Sequence, residues 1–328
     1  QQRFTEALAC YERALALKPD ISGIHYNCGL ALQALDRSAE AAARFQQAIA
    51  ANPNYAPAHN SLGNALRNSG RLEDALCAYR RALALQPDFA DVHCNLATVW
   101  ERQGKVHEAV MSYEKALALQ PDSAYAHGGL AVVLKDQGRL DEALRHFARA
   151  LELDPWLMET HNSLLFSMNY VSGLQPEAVY AAHAEFGGRH EAPLREAASL
   201  PHANIPDTER RLRIGYVSGD FRYHSVASFL EPVLAQHDRA RFEVYCYSCS
   251  SSADEMTRRL QGYADRWRNI AGMSEDEAAQ CIRDDRIDIL VDLAGHTANN
   301  RLLTFARKPA PVQVAYLGYP NTTGLTTM

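Results

Sequence analysis

Two histidines stand just past short apolar runs in the last third of the chain, in segments dense with glycine and hydroxyl groups. The first segment, Ser218-Gly219-Asp220-Phe221-Arg222-Tyr223-His224, follows the run LRIGYV. The second, Ala294-Gly295-His296-Thr297, follows IDILVDL, and a third, Gly318-Tyr319-Pro320-Asn321-Thr322-Thr323-Gly324, follows VQVAYL. An imidazole exchanges a proton near neutral pH, hydroxyls and carboxylates hold a polar substrate, and glycine lets the backbone approach a ligand closely. His224 is the candidate for proton transfer; the bland alternative is a histidine that only holds its loop through a backbone hydrogen bond. His296, with Thr297 as a neighbouring donor, would contact a polar substrate or else pack its loop. Asp220, Gly318, Tyr319, Pro320 and Gly324 complete the candidate set, and Asp292 would orient a loop or simply cap a strand end. No G-x-G-x-x-G follows the first run, no G-x-x-x-x-G-K-S/T occurs anywhere and no D-x-D is present. Dinucleotide and P-loop chemistry are disfavoured, and the usual pointer to a metal-bound sugar nucleotide is missing.

The apolar runs that carry these segments read as strands at 212–217, 242–247, 287–293 and 312–317. Helical patterns fall between them at about 225–236, 254–263, 275–283 and 300–306. Strands alternating with helices imply crossover connections and a parallel sheet covered on both faces, a Rossmann-like domain. In such sheets ligands bind beyond the carboxyl ends of the strands, where the candidate residues lie.

Upstream the pattern is different. Pro19, Pro53, Pro87, Pro121 and Pro155 recur every 34 residues. In register with them come Ala41, Ala75, Ala109 and Ala143, then Phe45, Tyr79, Tyr113 and Phe147, then Ala48, Ala82, Ala116 and Ala150. Small, aromatic and small residues at helical steps mark a face that a neighbouring helix approaches closely. A second amphipathic segment in each unit carries Gly29, Gly63, Ala97 and Ala131, and Gly70, Gly104 and Gly138 end it. Each unit is a helix, a turn and a helix, and it resembles the tetratricopeptide repeat. Four complete repeats run from about 22 to 155; Ala7, Tyr11 and Ala14 supply the second helix of an earlier one, so the chain is expected to begin inside its array. The domains expected are repeats at 1–155, capping helices at 156–191, a proline-bearing connection at 192–211 and the Rossmann-like lobe at 212–328.

Stacked repeats make a curved solenoid whose concave face is lined by the first helix of each unit, a surface for partners. Asn27, Asn60, Asn95 and Asn162 lie at or next to one equivalent position there. Such amides either hydrogen-bond an extended peptide backbone or are ordinary solvated residues. His25, His59, His93, His127 and His161 recur with the same period. Neighbouring repeats stand on the order of 10 Å apart, too far for two imidazoles to share an ion, so repeat packing explains the series and no metal is expected. Seven cysteines, with Cys246 and Cys249 forming a lone C-x-x-C, fit reduced thiols rather than disulfides or a zinc site, and a cytoplasmic location is expected. A net charge of −6 and a pI near 6.1 argue against a nucleic-acid binder, and no long apolar run suggests a membrane span.

The array followed by LRIGYVSGDFRYHS, FEVYCYS, DRIDILVDLAGHT and KPAPVQVAYLGYPNTTG resembles the protein O-linked N-acetylglucosamine transferase family, including its bacterial and SPINDLY-like members. The resemblance implies an α-solenoid followed by the first of two Rossmann-like lobes. It also implies an inverting, metal-independent transferase, with a nucleotide sugar as co-substrate and no cofactor, acting on Ser or Thr of proteins bound by the repeats. The family histidine of the G/S-D-F-x-x-H motif, considered the base, maps onto His224, and the family's cleft loop onto Gly318, Tyr319, Pro320 and Gly324. Ser225 stands where many relatives have proline, which leaves that loop less rigid. The second lobe, which in the family holds the nucleotide, is expected beyond Met328, and without it the 328-residue chain alone is expected to be inactive. UDP-N-acetylglucosamine is the donor expected, with GDP-fucose or a non-catalytic scaffold as alternatives and a homodimer through the repeats as a further expectation.

Overall fold

The computed structural model describes residues 2–207 and 209–328. They form two compact units that meet at Pro155 and Trp156.

The first unit is a run of antiparallel helix pairs. After α1 (Gln2–Leu17) come α2 (Ser22–Ala34) with α3 (Ser38–Ala51), α4 (Ala56–Asn68) with α5 (Leu72–Leu85), α6 (Ala90–Arg102) with α7 (Val106–Leu119), and α8 (Ala124–Asp136) with α9 (Leu140–Leu153). The first helix of each pair stops the same way. Gly70, Gly104 and Gly138 adopt φ of +76°, +70° and +75°, and Asp36 holds the equivalent place at +57°. The next amide then reaches back to the helix: Arg37 N–H to Leu32 C=O, Arg71 to Leu66, Lys105 to Trp100 and Arg139 to Leu134, at 2.8–2.9 Å. This is the Schellman closure, which satisfies carbonyls the helix end would orphan. Phe45, Tyr79, Tyr113 and Phe147 are fully buried between alanines. A Cβ at Gly29 would lie 2.4 Å from Phe45 Cε1, and one at Gly63 equally close to Tyr79. The periodic histidines tie each turn to the helix that follows it: the Nε2 of His25, His59, His93 and His127 donates to the carbonyl of Pro19, Pro53, Pro87 and Pro121, at 2.6–3.2 Å.

The second unit opens with α10 (Met158–Met168), α11 (Pro176–His190) and the short α12 (Arg195–Ala198). The sheet follows: β1 (Leu212–Ser218), α13 (Ser225–Ala235), β2 (Phe242–Ser248), α14 (Glu255–Tyr263), β3 (Arg266–Asn269), α15 (Glu275–Asp284), β4 (Ile289–Asp292), α16 (Leu302–Ala306) and β5 (Val312–Ala315). All pairings are parallel, in the order β3-β2-β1-β4-β5, with Ile214 opposite both Val244 and Ile289. Alternate strand residues feed opposite faces. Ile214, Tyr216, Val244, Cys246 and Val291 pack with Leu230 and Leu234 of α13 and Leu260 of α14. Val217, Tyr245, Tyr247 and Leu290 pack with Ile282 of α15, Phe305 of α16, and also Leu165 of α10 and Phe186 of α11. The helices expected as a cap therefore share the core of the Rossmann-like lobe. Strand β3 was absent from the sequence expectation. It is an edge strand of Arg-Trp-Arg-Asn, largely exposed, so no apolar run marks it. Among the described residues no helix is long and apolar enough to cross a membrane.

Two adjacent glycines of α11 meet opposite surroundings. A Cβ at Gly187 would stand 1.9 Å from the Gly324 carbonyl oxygen, whereas one at Gly188 meets nothing within 4 Å. Gly188→Ala is expected to raise stability by about 0.5–1 kcal/mol through helix propensity. Gly187→Ala is expected to lower it by about 3 kcal/mol, because the obstacle is backbone rather than a side chain that can move. Denaturant melts of the two variants check both signs, and equal effects would contradict the packing described.

Candidate active site

The strand order reverses between β1 and β4, so the crevice of this sheet lies over their carboxyl ends. The two loops that leave those ends are in contact. A Cβ at Gly219 would come 2.9 Å from Cβ of Asn299, which itself sits at φ +58°.

His224 ends the loop after β1 and is the N-cap of α13, with extended backbone and a side chain 40% exposed. Its Nδ1 lies 3.3 Å from the Val226 amide, which donates to it, and 3.7 Å from Asp220 Oδ2. These two neighbours select opposite tautomers. While Nδ1 accepts from Val226, a neutral ring carries its proton on Nε2 and cannot act there as a base. When Nδ1–H turns to the Asp220 carboxylate, Nε2 is left with a free lone pair. Asp220 is only 14% exposed in its side chain, and its Oδ1 is paired with Arg222 at 3.3 Å. At 3.7 Å this contact is not a hydrogen bond; a ring turned to donate Nδ1–H to Asp220 would be oriented by that carboxylate as in a catalytic triad.

The other strand-end candidates are turned inward. His296 is 2% exposed, with Nε2 3.0 Å from the Thr323 carbonyl and Nδ1 2.7 Å from the Asn162 amide. Burial, and then the neighbouring His183 ring, push its pKa down to about 3. The neutral ring donates through Nε2, so Nδ1 must accept; the Asn162 amide, placed with Oδ1 toward the ring, meets that need when it is turned to present its NH2. Tyr319 donates its O–H to His183 Nε2 at 2.7 Å and accepts from Asn169 at 3.0 Å, while His183 Nδ1–H donates to the Val179 carbonyl. His161 and His190 join at 3.3 Å, and the rings of His161, His190 and His296 surround Phe186 at 4.6–5.1 Å. The glycines expected to admit a ligand admit the protein's own backbone instead: a Cβ would meet Leu293 O at 1.6 Å from Gly318 and His183 O at 1.8 Å from Gly324. Thr297 donates to the Ala294 carbonyl at 2.8 Å, and Pro320 is exposed at its loop tip. Asp292 accepts from the amides of Ala294 and Gly295 at 3.0 and 2.8 Å, and burial lifts its pKa to about 6.

The asparagine series divides. Asn27 is exposed on α2, and Asn95 donates to Asn60 Oδ1 at 2.9 Å while accepting from Arg67 at 3.3 Å, so amides of neighbouring repeats are paired. Asn162 does not continue that row. It is buried in the second unit, committed to His296. Cys246 is fully buried in β2 and Cys249 lies beyond its end, both as free thiols. Among the described residues no group of three His, Cys, Asp or Glu side chains is arranged to hold a metal ion.

Against known proteins, the model of glycosyl transferase family 41 matches residues 157–328, just over half of the chain. The chain belongs to glycosyl transferase family 41. Tetratricopeptide-repeat models match residues 1–36 and 63–104, 45–76, and 88–155 of this family 41 protein. A probable UDP-N-acetylglucosamine–peptide N-acetylglucosaminyltransferase SPINDLY of Solanum lycopersicum is 43% identical over 168 residues, 50% of this chain and 18% of that protein. The SEC counterpart of Arabidopsis thaliana is 34% identical over 172 residues, 52% of this chain and 18% of its own length. The chain thus spans about a fifth of these curated relatives. A solved Thermobaculum terrenum O-GlcNAc transferase mutant, K341M, superposes with a TM-score of 0.71 at 37% identity, covering 83% of this chain and 52% of that one.

Two groups that matter in this family 41 chain were not picked out from sequence. His183 and His190 reach His296 only through tertiary packing, and no local pattern links them; His161, read from its spacing as a member of the repeat series, joins them in the second unit because its ring packs on His190 and Phe186. Asp254 and Thr257, which hold the His224 loop, carry a local signal, since a residue pair at this spacing is a helix capping box.

The histidine hub makes stability depend on pH. Burial holds His296 near 3 and His161 near 4, and lowers His183 and His190. The unfolded chain then binds more protons below the ordinary value of 6.5, so stability falls with pH through that point, by about 2 kcal/mol for His296 alone at pH 5. Asp292, raised to about 6, works in the opposite sense but is one group against four. Thermal melts should show Tm falling between pH 7 and 5, with a smaller fall in His296→Asn; a Tm constant over that range would contradict the neutral hub.

Proposed function

We propose that the protein is a protein O-glycosyltransferase that moves N-acetylglucosamine from UDP-N-acetylglucosamine to Ser or Thr hydroxyls of proteins held by the repeats, with inversion and without a metal ion. The observation that carries the proposal is His224, an accessible imidazole at the switch point of the sheet with the Asp220 carboxylate 3.7 Å behind its Nδ1. Support also comes from membership of family 41 and from relatives named as peptide N-acetylglucosaminyltransferases.

The acceptor hydroxyl oxygen attacks the anomeric carbon from the side opposite the diphosphate. Its proton passes to Nε2 of His224 as the new carbon–oxygen bond forms. The bond from the anomeric carbon to the diphosphate oxygen breaks, and UDP leaves with the electron pair. For this, His224 must carry its other proton on Nδ1, facing Asp220, and release the Val226 amide. Binding of the acceptor is what would favour that tautomer.

Full-length protein, given acceptor peptides and either UDP-N-acetylglucosamine or GDP-fucose, is expected to transfer from the UDP donor. His224→Ala should lower kcat by about 10²–10⁴-fold, the span typical of a lost general base, and Asp220→Asn should lower it by less. Transfer from GDP-fucose alone would keep the enzyme class and reassign the sugar. No transfer from either donor, by folded protein that still binds peptides, would overturn the proposal in favour of a scaffold.

A further inference from the structure

We propose that Asp254 and Thr257, which lie outside the strand-end motifs, are positioning residues that fix where His224 stands for transfer; the inference rests on the glycosyltransferase function proposed above. Both belong to the start of α14, in the connection after β2, whereas His224 follows β1. Asp254 divides its two carboxylate oxygens between two elements. Oδ1 accepts the Thr257 amide at 2.9 Å and caps α14, while Oδ2 accepts the Tyr223 amide at 2.7 Å, one residue before His224. Thr257 works the other side of the same loop. Its buried Oγ1 donates to the Phe221 carbonyl at 2.6 Å and accepts from the Asp254 amide at 3.0 Å. Phe221 is itself buried, with its ring 5.2 Å from Trp267 of β3. The histidine loop is thus pinned at residues 221 and 223 by one capping box.

The capping box itself needs only two of these bonds, the Thr257 amide to Oδ1 and the Asp254 amide to Oγ1. The second carboxylate oxygen, and the hydrogen of the Thr257 hydroxyl, go beyond it to the backbone that carries His224. Charge-assisted bonds to a backbone N–H are short and strong, and they suit a group whose placement decides a rate. A misplacement of about 1 Å costs on the order of 10²-fold in turnover.

Asp254→Asn separates the two roles. Asn caps a helix as well as Asp, so α14 keeps its Oδ1 bond, but an NH2 donor replaces the oxygen that faced the Tyr223 N–H. In full-length protein the variant should stay folded, with a melt lowered only by the loss of the Tyr223 bond, keep KM for the sugar nucleotide and lose about 10- to 100-fold in kcat. Thr257→Val, which removes the bond to Phe221, should lose a similar factor, and Thr257→Ser, which keeps the hydroxyl, should restore it. The second readout needs no substrate: the ¹⁵N imidazole signals of His224, assigned by their loss in His224→Ala, should shift in Asp254→Asn and Thr257→Val. Unmoved His224 signals in folded Asp254→Asn would overturn the inference whether or not transfer is detected. Moved signals with unchanged kcat would overturn it as well. If wild type transfers no sugar, the proposed function fails on its own, and the spectra still decide the positioning.

Discussion

Backbone passes so close to backbone at Gly187, Gly318 and Gly324 that no side chain fits between, and the strand-end loops of the second unit take their shape from that contact. With α11 lying directly on the loop that follows β5, the polar groups trapped there must find partners inside the protein. They do so through imidazoles. His183 joins Val179 to Tyr319, His296 joins Asn162 to Thr323, and Glu191 accepts from the amides of Thr326 and Thr327. Histidine suits these places because one neutral ring both donates and accepts. The loops after β4 and β5 become a closed floor, in which Thr327 Oγ1 and the neighbouring Gln313 Oε1 of β5 are left without a hydrogen-bond partner among the described residues.

That closure assigns different work to the two strand-end histidines. His296 has both nitrogens engaged and is held neutral by burial, so it has no free nitrogen to take up a proton and no face for a ligand. His224 keeps 40% of its side chain accessible, a carboxylate behind Nδ1 and a competing amide that sets its resting tautomer. The loop after β1 is thus the strand-end segment that keeps an accessible imidazole. Its backbone is fixed not by the hub but from the other side of the sheet, by Asp254 and Thr257 of α14. A rigid floor under one wall and a pinned loop on the other give a site precision without demanding that every nearby polar residue touch substrate.

The parts legible in the sequence were those whose cause is local. A 34-residue period fixes proline, glycine and the small and aromatic residues together, because each helix pair meets the next in the same way, and the pairs fall where that period puts them. The unbroken apolar runs in LRIGYV and FEVYCYS mark strands buried on both faces. Strand β3 escaped because an edge strand of Arg-Trp-Arg-Asn carries no such run. The hub escaped for a different reason. His161, His183, His190 and His296 are brought together only by folding, and glycine in a loop says that something approaches closely without saying what. At Gly318 and Gly324 the something is the protein's own carbonyls.

The most direct measurement is graded modification of full-length protein with diethyl pyrocarbonate, with each histidine followed by peptide mass spectrometry alongside sugar transfer. Loss of transfer should track acylation of His224, while His161, His183, His190 and His296 stay unmodified. Full transfer with His224 acylated, or loss that tracks His296 instead, would contradict the division of labour between the two histidines.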